Sequence, residues 1–184
     1  ARLLVRQLIG FQLVILVPLV TISAFFPHLI VNVILDFPET DRQVLAGDLF
    51  RWLIQYLILI SIAAVLMGTL NSHRLFLVPA LAPLWFSISV IASIVLLHGT
   101  LGIFSMVVGV LLGGLGQIAI QVPQTLRRGY TIVPAFRFNS EAFRTVMKRW
   151  GPVVSTASVV VINQQVAIFF ASGLEDGSGF ALTN

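Results

Sequence analysis

An all-α bundle of membrane-spanning helices is the fold class this chain predicts, and three observations predict it. Of its 184 residues, 58% are hydrophobic and only 10% charged, and the mean hydropathy is +1.00, whereas a soluble domain carries about 25% charged residues. Five runs, residues 10–35, 52–70, 75–97, 99–122 and 150–174, contain no Asp, Glu, Lys or Arg. Each is close to the ~20 residues that a helix needs to cross a bilayer core. The runs are also continuously apolar rather than alternating, which argues against the short two-faced strands of a membrane barrel.

A secretory leader cannot account for five such runs, and the first is too long and lacks a small-residue cleavage pattern. The chain starts at Ala1 in a basic, helix-forming segment and ends at Asn184 without a polar tail, so it reads as a piece of something longer. With no cysteine present, disulfides and thiolate metal sites are excluded.

The elements follow in order. The first run carries Pro18 and Pro27; a proline removes a helix hydrogen bond and crowds the preceding turn, which predicts a kink or break near Pro27. "DFPETDR", residues 36–42, has the proline and acidic residues of a turn. The second span starts at Trp52 and includes Gln55 and Tyr56; Ala64 and Gly68, four apart, would allow close approach of another helix. "NSHR", Asn71, Ser72, His73 and Arg74, makes a tight turn before the third span, whose prolines Pro79 and Pro83 fall in its opening turns. The fourth span repeats the small-residue device in "GVLLGGLG", residues 109–116, and should pack tightly on a neighbour.

Residues 123–149 then form a loop and a short amphipathic interfacial helix. Ser140 caps that helix, Glu141 sits in its first turn, and Phe143, Val146, Met147 and Trp150 recur on one face. The fifth span is unusually polar, with Ser155, Thr156, Ser158, Asn163, Gln164 and Gln165.

Net charge is +4, and its placement matters more than its sum. If the spans alternate, Arg2, Arg6, Arg74, Arg127, Arg128, Arg137, Arg144, Lys148 and Arg149 share one side, leaving Arg42 and Arg51 on the other. Nine against two puts the N-terminus in the cytoplasm by the positive-inside rule. Six of the seven acidic residues fall on the opposite side, and only Glu141 lies inside. Such a basic surface suits anionic membrane lipids; no nucleic-acid motif accompanies it.

No catalytic constellation is present. His28, His73 and His98 stand singly, away from any paired ligand spacing, so no metal site and no cofactor is expected. "GVLLGGLG" has neither the preceding strand nor the following acidic residue of a nucleotide loop. The polar groups within spans are amides, Gln55, Gln117, Gln121, Asn163, Gln164 and Gln165. Helix-to-helix hydrogen bonding is their ordinary use, and lining a polar cavity is the functional alternative, best supported at Asn163, Gln164 and Gln165. From the residues alone, the chain suits transport better than bond chemistry.

Resemblance adds to this. "LIQYLILISIAAVLMGTLNSHRLFLVPALAPLWFSISVI", residues 53–91, resembles the fourth and fifth helices of the MviN/MurJ lipid II flippase family, within the superfamily of two-lobed exporters. The matching residues are Tyr56, Ile60, Ser61, Gly68, Leu70, Asn71, Arg74, Phe76, Pro79, Ala80, Pro83, Ile88 and Ser89. "GVLLGGLGQIAIQVPQTLRRGY" is similar to the family's sixth helix and its exit, and "WGPVVSTASVVVINQQVAIFFASGLEDGS" to its seventh. The whole chain is covered, from about the third helix to the end of the seventh.

The resemblance implies a partial first lobe of a transporter rather than an enzyme. It implies a multi-pass protein of the bacterial cytoplasmic membrane that flips the undecaprenyl-linked peptidoglycan precursor by alternating access, together with the remainder of the transporter. It makes Asn163, Gln164, Gln165, Ser87 and Gln55 candidate cavity-lining residues, and Asn71, Ser72, His73 and Arg74 a candidate inner gate. Departures are also visible: Gln55 stands for the family's proline, Ser87 for its asparagine and Val161 for a glutamine. Ala167 occupies a position often held by an aspartate implicated in sodium binding, and it supplies no carboxylate. A transporter of another lipid-linked glycan or a small cation, and a membrane scaffold that transports nothing, stay open as alternatives.

Overall fold

In the computed structural model the backbone is described for residues 2–34 and 40–172, and side chains for these except 32–34, 40, 42, 157, 160–162 and 164–172. The described residues form helices joined by turns and one extended segment, in two compact units, residues 1–138 and 139–184.

The first unit opens with α1, Arg2–Phe25, in which Pro18 is accommodated without a break. Pro27 does interrupt the path: Phe26 is a bend, and α2, Pro27–Ile34, begins at the proline, as the missing amide predicts. The ladder nearly continues, because Phe26 N donates to Ile22 O at 3.0 Å and Ile30 N to Phe26 O at 3.3 Å. His28 packs against Gly47, where a β-carbon would collide with its ring.

The second crossing differs from its expected start at Trp52. Helix α3, Thr40–Leu53, already runs through residues 40–51, and α4, Tyr56–Ser72, follows it; of the expected turn at 36–42, residues 36–39 lie outside the described residues. Hydropathy marks where a bilayer could be, whereas helix formation tolerates the polar start, with Asp41 favourably placed in the first turn. Between α3 and α4, Leu57 N bonds Ile54 O and Ile58 N bonds Gln55 O at 3.1 and 3.2 Å. These three-residue spacings tighten the backbone at Ile54 and Gln55.

Helix α5 spans Leu77–Leu101 and α6 Phe104–Arg127. Their reversal lies at Gly102, about one turn beyond the expected end at residue 97, where φ of +53° suits a residue without a β-carbon. Ser93 Oγ donates to Ser105 O at 2.6 Å and Ser89 Oγ to Gly109 O at 3.2 Å, stitching the two helices. The glycines of α6 permit this closeness. A β-carbon at Gly109 would lie 2.8 Å from Val90 Cα, and one at Gly113 2.7 Å from the Phe86 ring. Gly114 gives the same access to α4, through Tyr56 and Leu59. By contrast, nothing lies within 4 Å of a β-carbon built on Gly68, so the expected close packing at Ala64 and Gly68 is not found among the described residues.

Helix α6 also continues past the expected end at residue 122, carrying Pro123 to Arg127. Four helices, Arg2–Phe25, Gln43–Ser72 (α3 and α4 together), Leu77–Leu101 and Phe104–Arg127, are long and apolar enough to cross a membrane.

In the second unit, α7 runs from Glu141 to Ser172, so the expected interfacial helix and the start of the fifth span form one continuous helix, with Pro152 inside it. Phe143 N donates to Ser140 Oγ at 3.2 Å, the expected cap. Ser155, Thr156 and Ser158 turn their hydroxyls back onto carbonyls four residues earlier, at 2.8–3.0 Å. These polar groups are thereby satisfied within their own helix.

Candidate functional site

The densest polar architecture lies at the basic end of the first unit, where the start of α1, the turn after α4 and the chain after α6 meet. Helix α4 closes with two nested bonds. Leu75 N donates to Leu70 O at 3.1 Å and Arg74 N to Asn71 O at 3.0 Å, the paired pattern that finishes many helices. It requires a left-handed residue, and Arg74 takes that role at φ +59°. Ser72 Oγ donates to Thr69 O at 2.7 Å. Asn71, Ser72, His73 and Arg74 are all exposed.

Helix α6 closes in the same way. Tyr130 N donates to Thr125 O at 3.3 Å and Gly129 N to Leu126 O at 2.8 Å, with Gly129 at φ +75°. The two turns touch, because His73 Nε2 and the Tyr130 hydroxyl are 2.9 Å apart and their rings meet edge to face with centroids at 5.4 Å. Tyr130 is only 8% exposed and packs with Val5 and Ile9 of α1, bordered by Val65 and Ile132.

Beyond Tyr130 the chain lies along α1 as a strap. Ala135 N donates to Arg6 O at 2.9 Å, Arg6 Nε to Val133 O at 3.0 Å, and the buried Gln7 amide to Arg137 O. Phe11 and Phe138 pack edge to face at 5.8 Å. Gly10 makes room for the strap, since a β-carbon there would strike the Ala135 backbone. Arg2 lies against Gly129. The strap and turns therefore gather Arg2, Arg6, Arg74, Arg127, Arg128 and Arg137 at one end of the bundle, a concentrated positive field suited to phosphate.

The sequence marks Arg74 and His73 but gives no sign of their partner Tyr130, nor of Gln7, Gly10 and the strap. Backbone pairing of an extended segment against a helix leaves no periodic trace; Gly10 beside Arg6 and Gln7 was the available signal.

The cavity-lining candidates occupy separate places. Gln55 is exposed and lines a cleft among α1, α4 and α6, of about 540 Å³. Ser87 is exposed on α5 and bonds Pro83 O at 3.2 Å. Asn163 belongs to the second unit and is exposed, and the side chains of Gln164 and Gln165 lie outside the described residues.

Two further amides are buried. Gln121, on α6, is fully buried and donates from Nε2 to Gln117 O at 2.9 Å; Thr125 Oγ1 donates to Gln121 O at 2.9 Å. Gln117, Gln121 and Thr125, four apart, thus form a polar ladder down one buried face of α6.

Comparison with known proteins agrees with the resemblance. The family described as lipid II flippase MurJ matches residues 1–184. A "Probable lipid II flippase MurJ" of Borreliella burgdorferi is 31% identical over 97% of this chain and 35% of its own length. Proteins of the same description from Buchnera aphidicola (subspecies Acyrthosiphon pisum) and Aquifex aeolicus are 28% and 29% identical, each over 94% of this chain and 34% and 35% of their own. The chain spans about a third of the length of these relatives. With four apolar helices of spanning length and a match over its full extent, this chain belongs to the lipid II flippase MurJ family, as a multi-pass membrane protein.

Proposed function

We propose that this chain forms part of the first lobe of a transporter, not an enzyme, that flips the undecaprenyl-linked peptidoglycan precursor across the bacterial cytoplasmic membrane by alternating access. The family match over residues 1–184 carries this reading. Its basic end faces the cytoplasm, which puts the N-terminus of the chain inside, by the excess of Arg and Lys on that side. The fifth crossing lies in residues 150–174, entered from an interfacial stretch that begins at Glu141.

Asn71, Ser72, His73 and Arg74 form the inner gate. What supports this is a left-handed arginine at a helix end, a costly choice for a residue that serves only as a turn. The gate hinges on the Tyr130 contact and moves with the strap, while the pyrophosphate of the lipid is held by cations elsewhere in the transporter. Gln55, Ser87, Asn163, Gln164 and Gln165 line the path during the cycle.

The experiment is depletion of the full-length protein, followed by measurement of how much lipid-linked precursor can be modified from outside the cell. Exposure is expected to fall and to return on re-expression; unchanged exposure would sink the reading. Residues 1–184 expressed alone are expected to give no flipping in vesicles, because alternating access needs a second lobe to rock against. Turnover by that segment alone would refute the two-lobed mechanism.

A further inference from the structure

The cleft beside Gln55 is absorbed by none of this. Its walls are apolar, with Val20 and Ala24 from α1, Ile58 and Leu59 from α4, and Leu111 and Leu115 from α6. Only Thr21 and Gln55 among its lining residues carry polar side chains, and neither makes a side-chain hydrogen bond to another described residue. Both are exposed. Exposed, unpaired polar groups at bilayer depth are costly unless a polar group from the membrane meets them.

Their depth says which group that is. Gln55 lies 17 residues before Ser72, about 26 Å along a helix rising 1.5 Å per residue, against a hydrocarbon core of roughly 30 Å. Thr21 lies 15 residues beyond Arg6, a comparable depth along α1. Gln55 and Thr21 therefore sit just inside the edge of the core, at the end of the bundle opposite the basic collar, where glycerol esters lie. One turn before Gln55 in sequence, Arg51 is exposed, and Trp52 is exposed in the position of an interfacial aromatic. Asp48, half-buried on α3, is the other charged side chain on this stretch.

We propose that this cleft binds a glycerophospholipid of the leaflet opposite the basic end. One acyl chain fills the apolar cleft. Gln55 Nε2 and the Thr21 hydroxyl donate to its ester carbonyl, and Arg51 meets its phosphate. The donor pair distinguishes this occupant from the transported class of lipid, because a polyprenyl diphosphate has no ester carbonyl at that depth and would leave the amide unanswered. A single arginine also matches one phosphodiester better than a pyrophosphate. The inference requires only that the chain spans a membrane, and it is independent of what the protein transports.

The test uses the full-length protein in nanodiscs with a trace of phosphatidylglycerol carrying a photoreactive group midway along one acyl chain. Labelling on the α6 segment holding Leu111 and Leu115 is read relative to Ile91, exposed on α5. Enrichment on α6 is expected, and an unlabelled diester phospholipid should compete about fivefold better than its diether analogue, the weight of roughly one hydrogen bond. Gln55→Leu should abolish that ester preference while leaving labelling at Ile91 unchanged. Equal competition by ester and ether lipids would overturn the proposal, as would competition by undecaprenyl phosphate at the same concentration, or absence of α6 labelling because another part of the protein fills the cleft. Because the readout is labelling, failure of flipping would leave this result standing.

Discussion

The ends of α4 and α6 use one device with different residues. Each helix stops with a six-to-one bond around a five-to-two bond, and each places a left-handed residue between them. At the end of α6 that residue is Gly129, for which the conformation costs nothing sterically. At the end of α4 it is Arg74, for which it costs about 1–2 kcal/mol. The difference teaches how to divide structural from functional roles: the α6 end is built for stability and leads into the buried Tyr130, whereas the α4 end accepts strain and shows all four turn residues to solvent.

Tyr130 gives the largest effect and the hardest test of that division. Its ring is part of a buried cluster with Val5 and Ile9, and its hydroxyl meets His73. Tyr130→Ala is expected to cost about 3 kcal/mol or more, the usual loss for truncating a buried aromatic, and to free the strap. Thermal unfolding of the purified full-length protein measures it, and a change comparable with that of an exposed-site control would show that the α6 end is not the structural one.

Gly129→Ala comes next. The substitution keeps the chain short but imposes a β-carbon at φ +75° and directs it towards the Arg2 guanidinium. A loss of about 1–2 kcal/mol is expected from the backbone alone, with little more from the flexible arginine, which can move aside. The corresponding drop in unfolding midpoint should accompany a modest fall in transport, in proportion to folded protein. Transport lost from fully folded protein would instead give the α6 end a functional role.

How much of this was legible before the structure differs by element. The spans were, because a helix that crosses lipid cannot carry charges through its middle, and residues 10–35, 75–97 and 99–122 announce themselves. Their ends were not: α6 runs through Pro123 to Arg127 and α5 reaches Leu101, since hydropathy reports solvent and not the helix. The two small-residue pairs show the same limit. Gly109 and Gly113 are pressed against α5, while Gly68, at the same spacing from Ala64, meets nothing. Spacing permits close approach; whether a neighbour is there depends on topology. At the candidate site, the turn Asn71, Ser72, His73 and Arg74 could be read from a polar interruption between apolar runs. Its partner Tyr130 could not, being 57 residues away across a contact that no local pattern encodes.

Arg74→Gly carries the smallest expected change in stability and separates the two ends most sharply. Glycine removes the left-handed penalty of about 1–2 kcal/mol but adds backbone freedom to the unfolded chain, worth about 0.5–1 kcal/mol. The net gain is therefore about 0.5–1 kcal/mol, seen as a small rise in unfolding midpoint. The two bonds that close α4 use backbone atoms, so the turn itself is expected to persist. If the arginine is kept for what its guanidinium does at the gate, transport should fall even as stability rises, and Arg74→Lys should restore part of it through charge at the same place, though without the planar donor fork. Raised stability with transport intact would make the arginine dispensable and move the gate away from this turn.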